Sequence, residues 1–146
     1  MRFSEAMGRK VVSTSTADSV GKIDDFVVDP RIPTVVALAL KKTDSGDTLR
    51  WADITAFGAD AVTVTGVERL TEADADVTDL LGKDHRLIGK RALATTGDEI
   101  GTVTDVEFDP SSGTVTAIVL DHDQIAGNRL VGVGSYAVVI RAEPSR

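Results

Sequence analysis

The sequence predicts an all-β protein built as two tandem small, highly bent antiparallel β-barrels, joined by a partly helical acidic linker. Two observations lead to this prediction. One β unit occurs twice along the 146 residues, and each copy contains short strands rich in Val, Ile and Thr. Turn residues separate these strands roughly every 8–12 positions, as is typical of small barrels. We place the first unit at residues 1–66, the linker at 67–86 and the second unit at 87–146.

The repeat is clearest in two stretches whose residue numbers differ by 80. Gly21–Pro30 recurs as Gly101–Pro110, and Thr34–Leu40 recurs as Thr114–Leu120. Within these stretches the identical residues are Gly21 and Gly101, Asp25 and Asp105, Asp29 and Asp109, Pro30 and Pro110, Thr34 and Thr114, Val35 and Val115, Ala37 and Ala117, and Leu40 and Leu120. Solenoid repeats have periods of about 20–50 residues, so a period this long indicates two small domains.

Local signals assign the elements along the chain. Phe3–Met7 is expected to form one helical turn with Ser4 as its N-cap. The expected strands of the first unit are Arg9–Ser13, Val20–Asp29, Thr34–Lys42, Thr48–Trp51 and Ala61–Thr65, and the second unit begins at Gly89–Leu93 and ends with strands at Arg129–Val133 and Tyr136–Ile140. In the linker, Thr71 and the acidic residues after it have the form of a capping box and predict a helix over roughly 72–81.

The composition indicates how the cores are built. Hydrophobic residues make up 42% of the chain but aromatic residues only 4%, so the cores must consist mainly of Val, Ile, Leu and Ala. A domain of about 60 residues buries only about 60% of the surface of its unfolded chain, so each unit would be marginally stable alone. We therefore expect the two units to pack against each other.

Charge and composition also exclude several classes of protein. The formal net charge is −7, from 16 basic and 23 acidic residues, and no basic cluster exceeds two residues, so nucleic acid is disfavoured as a partner. Cysteine is absent, which excludes disulfides, thiolate metal sites and a cysteine nucleophile. No apolar run approaches the roughly 18 residues of a membrane span, and the first residues do not resemble a signal peptide. A cytoplasmic location is expected.

The third strand of each unit is apolar on both faces. Because side chains alternate along a strand, one face lines the barrel and the other needs a cover. The sister unit is the first expected cover, and a second chain, giving a homodimer, is the alternative. The residues predicted for this joining surface are Val35, Ala37 and Ala39 with Val115, Ala117 and Val119, and Trp51 is expected as an interface anchor.

This pattern resembles the PRC-barrel family. It consists of a basic residue before the first strand, the motif Gly-x-hydrophobic-x-Asp, and an aspartate turn before a β-branched run. The resemblance covers Arg9–Thr65 and Lys90–Ile140; Gly101–Asp109 with Gly113 is the closer match, whereas Pro33 stands where the family has its turn glycine. The resemblance implies a small, highly bent β-barrel with a role in docking or assembly, and it implies no catalytic residues.

The repeated aspartates could be metal ligands or an acid–base pair, but they have simpler structural explanations. Asp25 and Asp105 are expected to hydrogen-bond a neighbouring loop. Asp29 and Asp109 each precede a proline in a turn, where a carboxylate accepts hydrogen bonds from nearby main-chain N–H groups. We therefore assign these four residues to the fold.

The most ligand-like cluster is Asp121-His122-Asp123, since one imidazole and two carboxylates can bind a metal. Consecutive strand residues point to opposite faces, so the three side chains could converge only in a turn, and the sequence leaves a metal there open without predicting one. His85 is expected to be an exposed linker residue. Gly132–Ser135 fits neither a phosphate loop nor a nucleophile elbow and is expected to bend a strand. The sequence therefore predicts no catalytic residues, no metal site and no cofactor.

These observations favour a non-catalytic protein–protein interaction or assembly adaptor whose partner is an unidentified protein. An accessory role in ribosome maturation or RNA processing is an alternative, by analogy with the ribosome-maturation factor RimM of the PRC-barrel family. A barrel that binds a small ligand or a metal is a further alternative.

Overall fold

The structure, a computed structural model, describes residues 1–43, 46–72, 86–134 and 136–142. Helix α1 spans Phe3–Ala6. The first unit contains β1 (Lys10–Ser13), β2 (Ser19–Asp29), β3 (Thr34–Lys41), β4 (Thr48–Arg50), β5 (Ala56–Phe57) and β6 (Ala61–Val64). The second unit contains β7 (Arg91–Ala94), β8 (Glu99–Phe108), β9 (Val115–Leu120), β10 (Gln124–Ala126), β11 (Leu130–Val133) and β12 (Ala137–Ile140). Short 3-10 helices occupy Trp51–Asp53, Val67–Arg69 and Gly127–Arg129.

The two units have the same topology. The strand order is β4-β3-β2-β1-β6-β5 in the first sheet and β10-β9-β8-β7-β12-β11 in the second, so each strand of one unit has a counterpart in the other. The prediction of an all-β fold with two tandem units is confirmed. One detail differs from the antiparallel arrangement that the sequence predicts: β1 and β6 pair in parallel, and so do β7 and β12. This pairing places the first strand of each unit beside a strand from the end of the same unit.

Two β-bulges bend the long hairpin of each unit, and they recur at equivalent positions. In the first unit the register between β2 and β3 shifts around Asp24 and again around Val36. In the second unit the register between β8 and β9 shifts around Thr104 and Thr116, whose numbers are higher by 80. Because a bulge bends a strand and increases its twist, we expect the repeated bulges to bend the long hairpin of both units in the same way.

The bulge at Val36 also interrupts the face alternation that the sequence suggests for β3. Val35 belongs to the same buried cluster as Leu38 and Leu40, although strict alternation places it on the opposite face. Val115 likewise belongs to that cluster, past the equivalent bulge in β9. One residue of register shift therefore turns these two valines toward the core.

One continuous core runs through both units. The buried cluster includes Val11, Ile23 and Val62 of the first unit together with Ile118 and Ile140 of the second. Each of these five side chains is fully buried, and most of the core residues are aliphatic, as the composition predicts. The shared core is consistent with units that stabilise each other.

Helical structure in the described ranges is short. The prediction that Ser4 caps the first helix is wrong, because α1 begins at Phe3 and the hydroxyl of Ser4 donates to Asp105. In the linker, Thr71 pairs with Thr48 through two main-chain hydrogen bonds, and the helix predicted over roughly 72–81 lies almost entirely outside the described residues. His85 lies outside them as well. No helix in the described ranges has the length and apolar character to cross a membrane.

Candidate docking groove between the two units

The two units meet at a local two-fold arrangement of the main chain. Thr34 and Thr114 form an antiparallel bridge at the start of β3 and β9. The N–H of Val35 donates to the carbonyl of Gly113 at 2.7 Å, and the N–H of Val115 donates to the carbonyl of Pro33 at 2.9 Å. Donor and acceptor thus exchange between positions that differ by 80, which places a pseudo-two-fold axis between the two threonines.

Four aromatic residues of the first unit form a socket that receives one phenylalanine of the second unit. They are Phe3, Phe26, Trp51 and Phe57. The ring of Phe108 lies 5.6 Å from Phe3, 5.3 Å from Phe26, 6.3 Å from Trp51 and 5.3 Å from Phe57, measured between ring centroids. Phe3 and Phe26 stack at 4.0 Å. The chain contains four Phe and one Trp, so all of them gather at this junction. Phe108 is 1% exposed, and its aromatic contacts join the second unit to the first.

The repeated strand aspartates bind the chain segments that lead into the opposite unit. The carboxylate of Asp105 accepts hydrogen bonds from the N–H of Ser4 at 3.2 Å and from its hydroxyl, and Ser4 belongs to the segment that leads into the first unit. Asp25, at the equivalent position, forms an ion pair of 2.9 Å with Arg86, which belongs to the segment that leads into the second unit. The sequence predicts that these aspartates hydrogen-bond a neighbouring loop; the hydrogen-bond partner of Asp105 lies instead in helix α1, and Asp25 forms its ion pair with Arg86, which lies outside the helices and strands.

The environment of Asp25 makes the stability of the junction depend on pH. Burial raises the pKa of its carboxyl above the ordinary value of 3.8, and the N–H of Phe26 and the charge of Arg86 oppose part of that rise. Since the native pKa is the higher one, the protonated form contributes stability that is fully present below pH 3.8 and is lost as the pH rises through the native pKa.

The free energy of unfolding of the wild-type protein is expected to fall as the pH rises above 3.8, and Asp25→Asn is expected to reduce this fall. Urea unfolding at a series of pH values measures the effect as a shallower fall in the free energy of unfolding. Asp109→Asn is the control of opposite sign, because hydrogen bonds from Ser111 lower the pKa of Asp109 and its contribution is lost as the pH falls. Equal pH profiles for wild type and Asp25→Asn would contradict the assignment.

A groove of about 400 Å³ opens beside this junction. One wall is the edge of the first sheet, where β5 pairs with β6 and ends the strand order. The opposite wall is the β8–β9 turn of the second unit, so both units are needed to form the groove. Its lining residues are Trp51, Ile54, Thr55, Ala56, Phe57, Pro110 and Ser111. A sheet edge that faces an aromatic groove can accept an extended peptide.

The side chains around Trp51 break the two-fold symmetry. A Cβ on Gly113 would lie 3.0 Å from the Trp51 ring, so the indole packs closely against a position that has no side chain. In the other half of the junction the sizes are exchanged: Pro33 stands at the position equivalent to Gly113. Gly127 occupies the position equivalent to Trp51, because both residues open the matching 3-10 helices, and a Cβ there would collide with the carbonyl of Val115. The junction therefore has a tryptophan in one half and a glycine at the equivalent position in the other half.

The residues predicted for the joining surface have different environments. Val35 and Val115 lie at the junction and are buried, Ala37 and Ala117 are also buried, and Ala39 and Val119 are partly buried. Trp51 lines the groove. That the six strand residues together form the joining surface stays a prediction.

Sequence reasoning missed the four phenylalanines. A signal was present in the repeat itself, since Phe26 stands opposite Val106 and Phe108 opposite Val28 at the spacing of 80. When a duplicated core position is aromatic in just one copy, the two copies are expected to make different contacts there.

The turn aspartates and the Asp121-His122-Asp123 cluster hold the main chain. Asp29 accepts from the N–H of Arg31 at 3.0 Å and Asp109 from the N–H of Ser111 at 2.8 Å, which confirms their predicted role. Asp121 accepts from Thr102 N–H at 3.0 Å, whereas Asp123 accepts from Gln124 N–H at 2.7 Å. The side chain of His122 is 83% exposed and lies 3.2 Å from Asp121. Within the described ranges, no three His, Cys, Asp or Glu side chains are grouped so that they could hold a metal ion.

The sequence comparison agrees with this architecture. Residues 82–143 match the model of the PRC-barrel domain. The second unit thus matches the PRC-barrel domain over nearly its whole length. The first unit lies outside the match but has the strand order, the parallel pair and the bulges of the PRC-barrel domain beside it, so the chain contains two tandem barrel-like units. No curated protein matches the chain.

Proposed function

We propose that this protein, whose second unit matches the PRC-barrel domain, is a non-catalytic docking module of the cytoplasm, which binds an extended segment of a partner protein in the groove between its two units. The observation that carries the proposal is the position of β5. It ends the strand order of the first sheet and lines a groove whose other wall comes from the second unit. An added strand would continue the sheet through main-chain hydrogen bonds.

The lining of the groove suits such a segment. Trp51 and Phe57 lie 5.7 Å apart and nearly parallel, and they offer an apolar surface for alternate side chains of a partner strand. Pro110 on the opposite wall has no N–H group, so that position of the wall cannot donate a competing hydrogen bond. The hydroxyls of Thr55 and Ser111 add polar groups at the exposed sides of the groove.

The carboxylates support a non-catalytic role because they are used by the fold. Asp29 and Asp109 hold turns, and Asp25 and Asp105 hold the leading segments of the units. A general acid or base must be able to reach a substrate, and these four groups instead bind neighbouring parts of the same chain.

Ala56→Arg is expected to block the groove and to weaken partner binding by at least about tenfold, which corresponds to about 1.4 kcal/mol. Ala56 is exposed, so the large side chain can be accommodated without loss of the fold. The matched control is Ala126→Arg, an equally charged change at an exposed alanine of β10, outside the groove.

The measurement is affinity capture from the native cell with both variants and the wild type, followed by mass spectrometry. We expect proteins that the wild type and Ala126→Arg retain and Ala56→Arg loses, at equal melting temperatures. Retention of the same proteins by Ala56→Arg would contradict the proposal. Capture of RNA in place of protein, or a rise in melting temperature on adding divalent cations, would favour one of the alternative functions.

A further inference from the structure

The junction between the units consists of reciprocal non-covalent contacts. The main-chain pair at Thr34 and Thr114 exchanges donor and acceptor between the units, and Asp105 and Asp25 each bind the segment leading into the opposite unit. Each of these contacts joins one unit to the other, so it would be the same if the two units belonged to different chains.

The junction is nevertheless selective, because its aromatic contacts are not symmetric. The socket of the first unit receives Phe108 of the second. A pair of two first units would present Val28 to that socket, because Val28 occupies the position equivalent to Phe108. It would also place Pro33 where Gly113 leaves room for Trp51. A first unit therefore selects a second unit as its partner.

We propose that a second copy of the chain can supply either unit, so that two chains form a reciprocally exchanged dimer with two complete junctions. Exchange keeps every contact of the junction, which makes it a low-cost route to a dimer. Covalent connection of the units favours the closed monomer until the chain concentration approaches an effective value of about 1 mM. The exchanged dimer therefore forms at high concentration or on refolding.

The exchanged dimer has a consequence for docking that rests on the proposed function. Each groove takes Trp51 and Phe57 from one chain and Pro110 and Ser111 from the other. The dimer therefore has two composite grooves and can hold two partner segments at once. Exchange itself does not depend on the grooves and can be tested separately.

The absence of cysteine in the natural chain allows a direct test by cross-linking. Thr34 and Thr114 face each other as a non-hydrogen-bonded antiparallel pair, in which Cα atoms are about 4.5 Å apart, within the range of disulfides. The variant with both Thr34→Cys and Thr114→Cys is expected to form a disulfide within one chain in dilute solution. Formation of this disulfide would establish that positions 34 and 114 face each other, before exchange is examined.

The decisive experiment mixes the two single variants, Thr34→Cys and Thr114→Cys, in urea and refolds them together under oxidising conditions. At about 1 mM we expect a disulfide-linked species of twice the 15.4 kDa chain mass, and at about 10 µM much less of it. Each single variant alone is the control and should give little of this species, because the junction pairs position 34 with position 114 and neither position with its own copy.

Two results would overturn the proposal. The first is a mixture that gives no more cross-linked dimer than the single variants at either concentration; if all of them gave much of it, the copies would meet at a different interface. The second is a double variant that fails to form its internal disulfide, since the junction would then differ from the one described.

Discussion

Phe108→Ala is expected to lower the free energy of unfolding by about 3–5 kcal/mol, the range measured for phenylalanine truncation in well-packed cores. The reason is the position of Phe108, which is fully buried and lies within 6.3 Å of four other aromatic rings at the junction. Its removal leaves a cavity between the units and takes away the side chain that the first unit recognises. Urea unfolding measures the loss.

Val28→Ala is the matched control, because Val28 occupies the equivalent position in the first unit and is also buried. It removes fewer atoms and no aromatic ring, so its cost should be clearly smaller. Trp51 is the single tryptophan of the chain and packs edge-on against Phe108, so its fluorescence reports on the junction directly. Equal costs for the two variants, or unchanged Trp51 emission in Phe108→Ala, would show that Phe108 does not join the units.

Gly113→Ala is expected to be the next most destabilising change. A residue with a side chain in the left-handed backbone conformation costs about 1–2 kcal/mol by itself, and Gly113→Ala should cost more than that. Gly113 has φ of +81°, and a Cβ there would lie 3.0 Å both from the Trp51 ring and from the carbonyl oxygen of Val35. The indole and the Val35 carbonyl would have to move away by a few tenths of an ångström. Thermal unfolding should show the loss, together with a change in Trp51 emission.

Gly97→Ala separates the two contributions. Gly97 has φ of +91°, but a Cβ there would meet no atom within 4 Å, so this variant reports the cost of the backbone conformation only. The difference between the two variants is the cost of crowding at the junction. If Gly97→Ala were as destabilising as Gly113→Ala, the contact with Trp51 would have no part in the effect.

Much of the architecture could be predicted because the chain repeats itself. Asp29 and Asp109 precede prolines at equal spacing, and a turn aspartate has a local partner, so its hydrogen bond can be derived without the fold. The apolar runs of β3 and β9 likewise predict buried strands. Such signals depend on neighbours in sequence, which a single chain displays directly.

The features that could not be predicted depend on distant residues. The parallel pairing of β1 with β6 joins Lys10 to Ala61, and no local pattern determines whether two such strands run parallel. The bulge at Val36 places Val35 in the core, and alternation alone predicts the opposite face. The groove arises where β5 meets the β8–β9 turn, and this meeting depends on the relative position of two units whose own folds could be derived separately.

The hydrogen bonds of Ser4 have a consequence for the order in which the chain folds during synthesis. Their acceptor, Asp105, follows 101 residues later, so this contact cannot form until Asp105 has left the ribosome. Ser4 must therefore wait for its acceptor while the strands between them associate. Contacts between such remote positions slow folding because a long loop has to close first. The hydrogen bonds between Ser4 and Asp105 should accordingly be among the later native contacts to form, after nearer ones such as the stacking of Phe3 on Phe26.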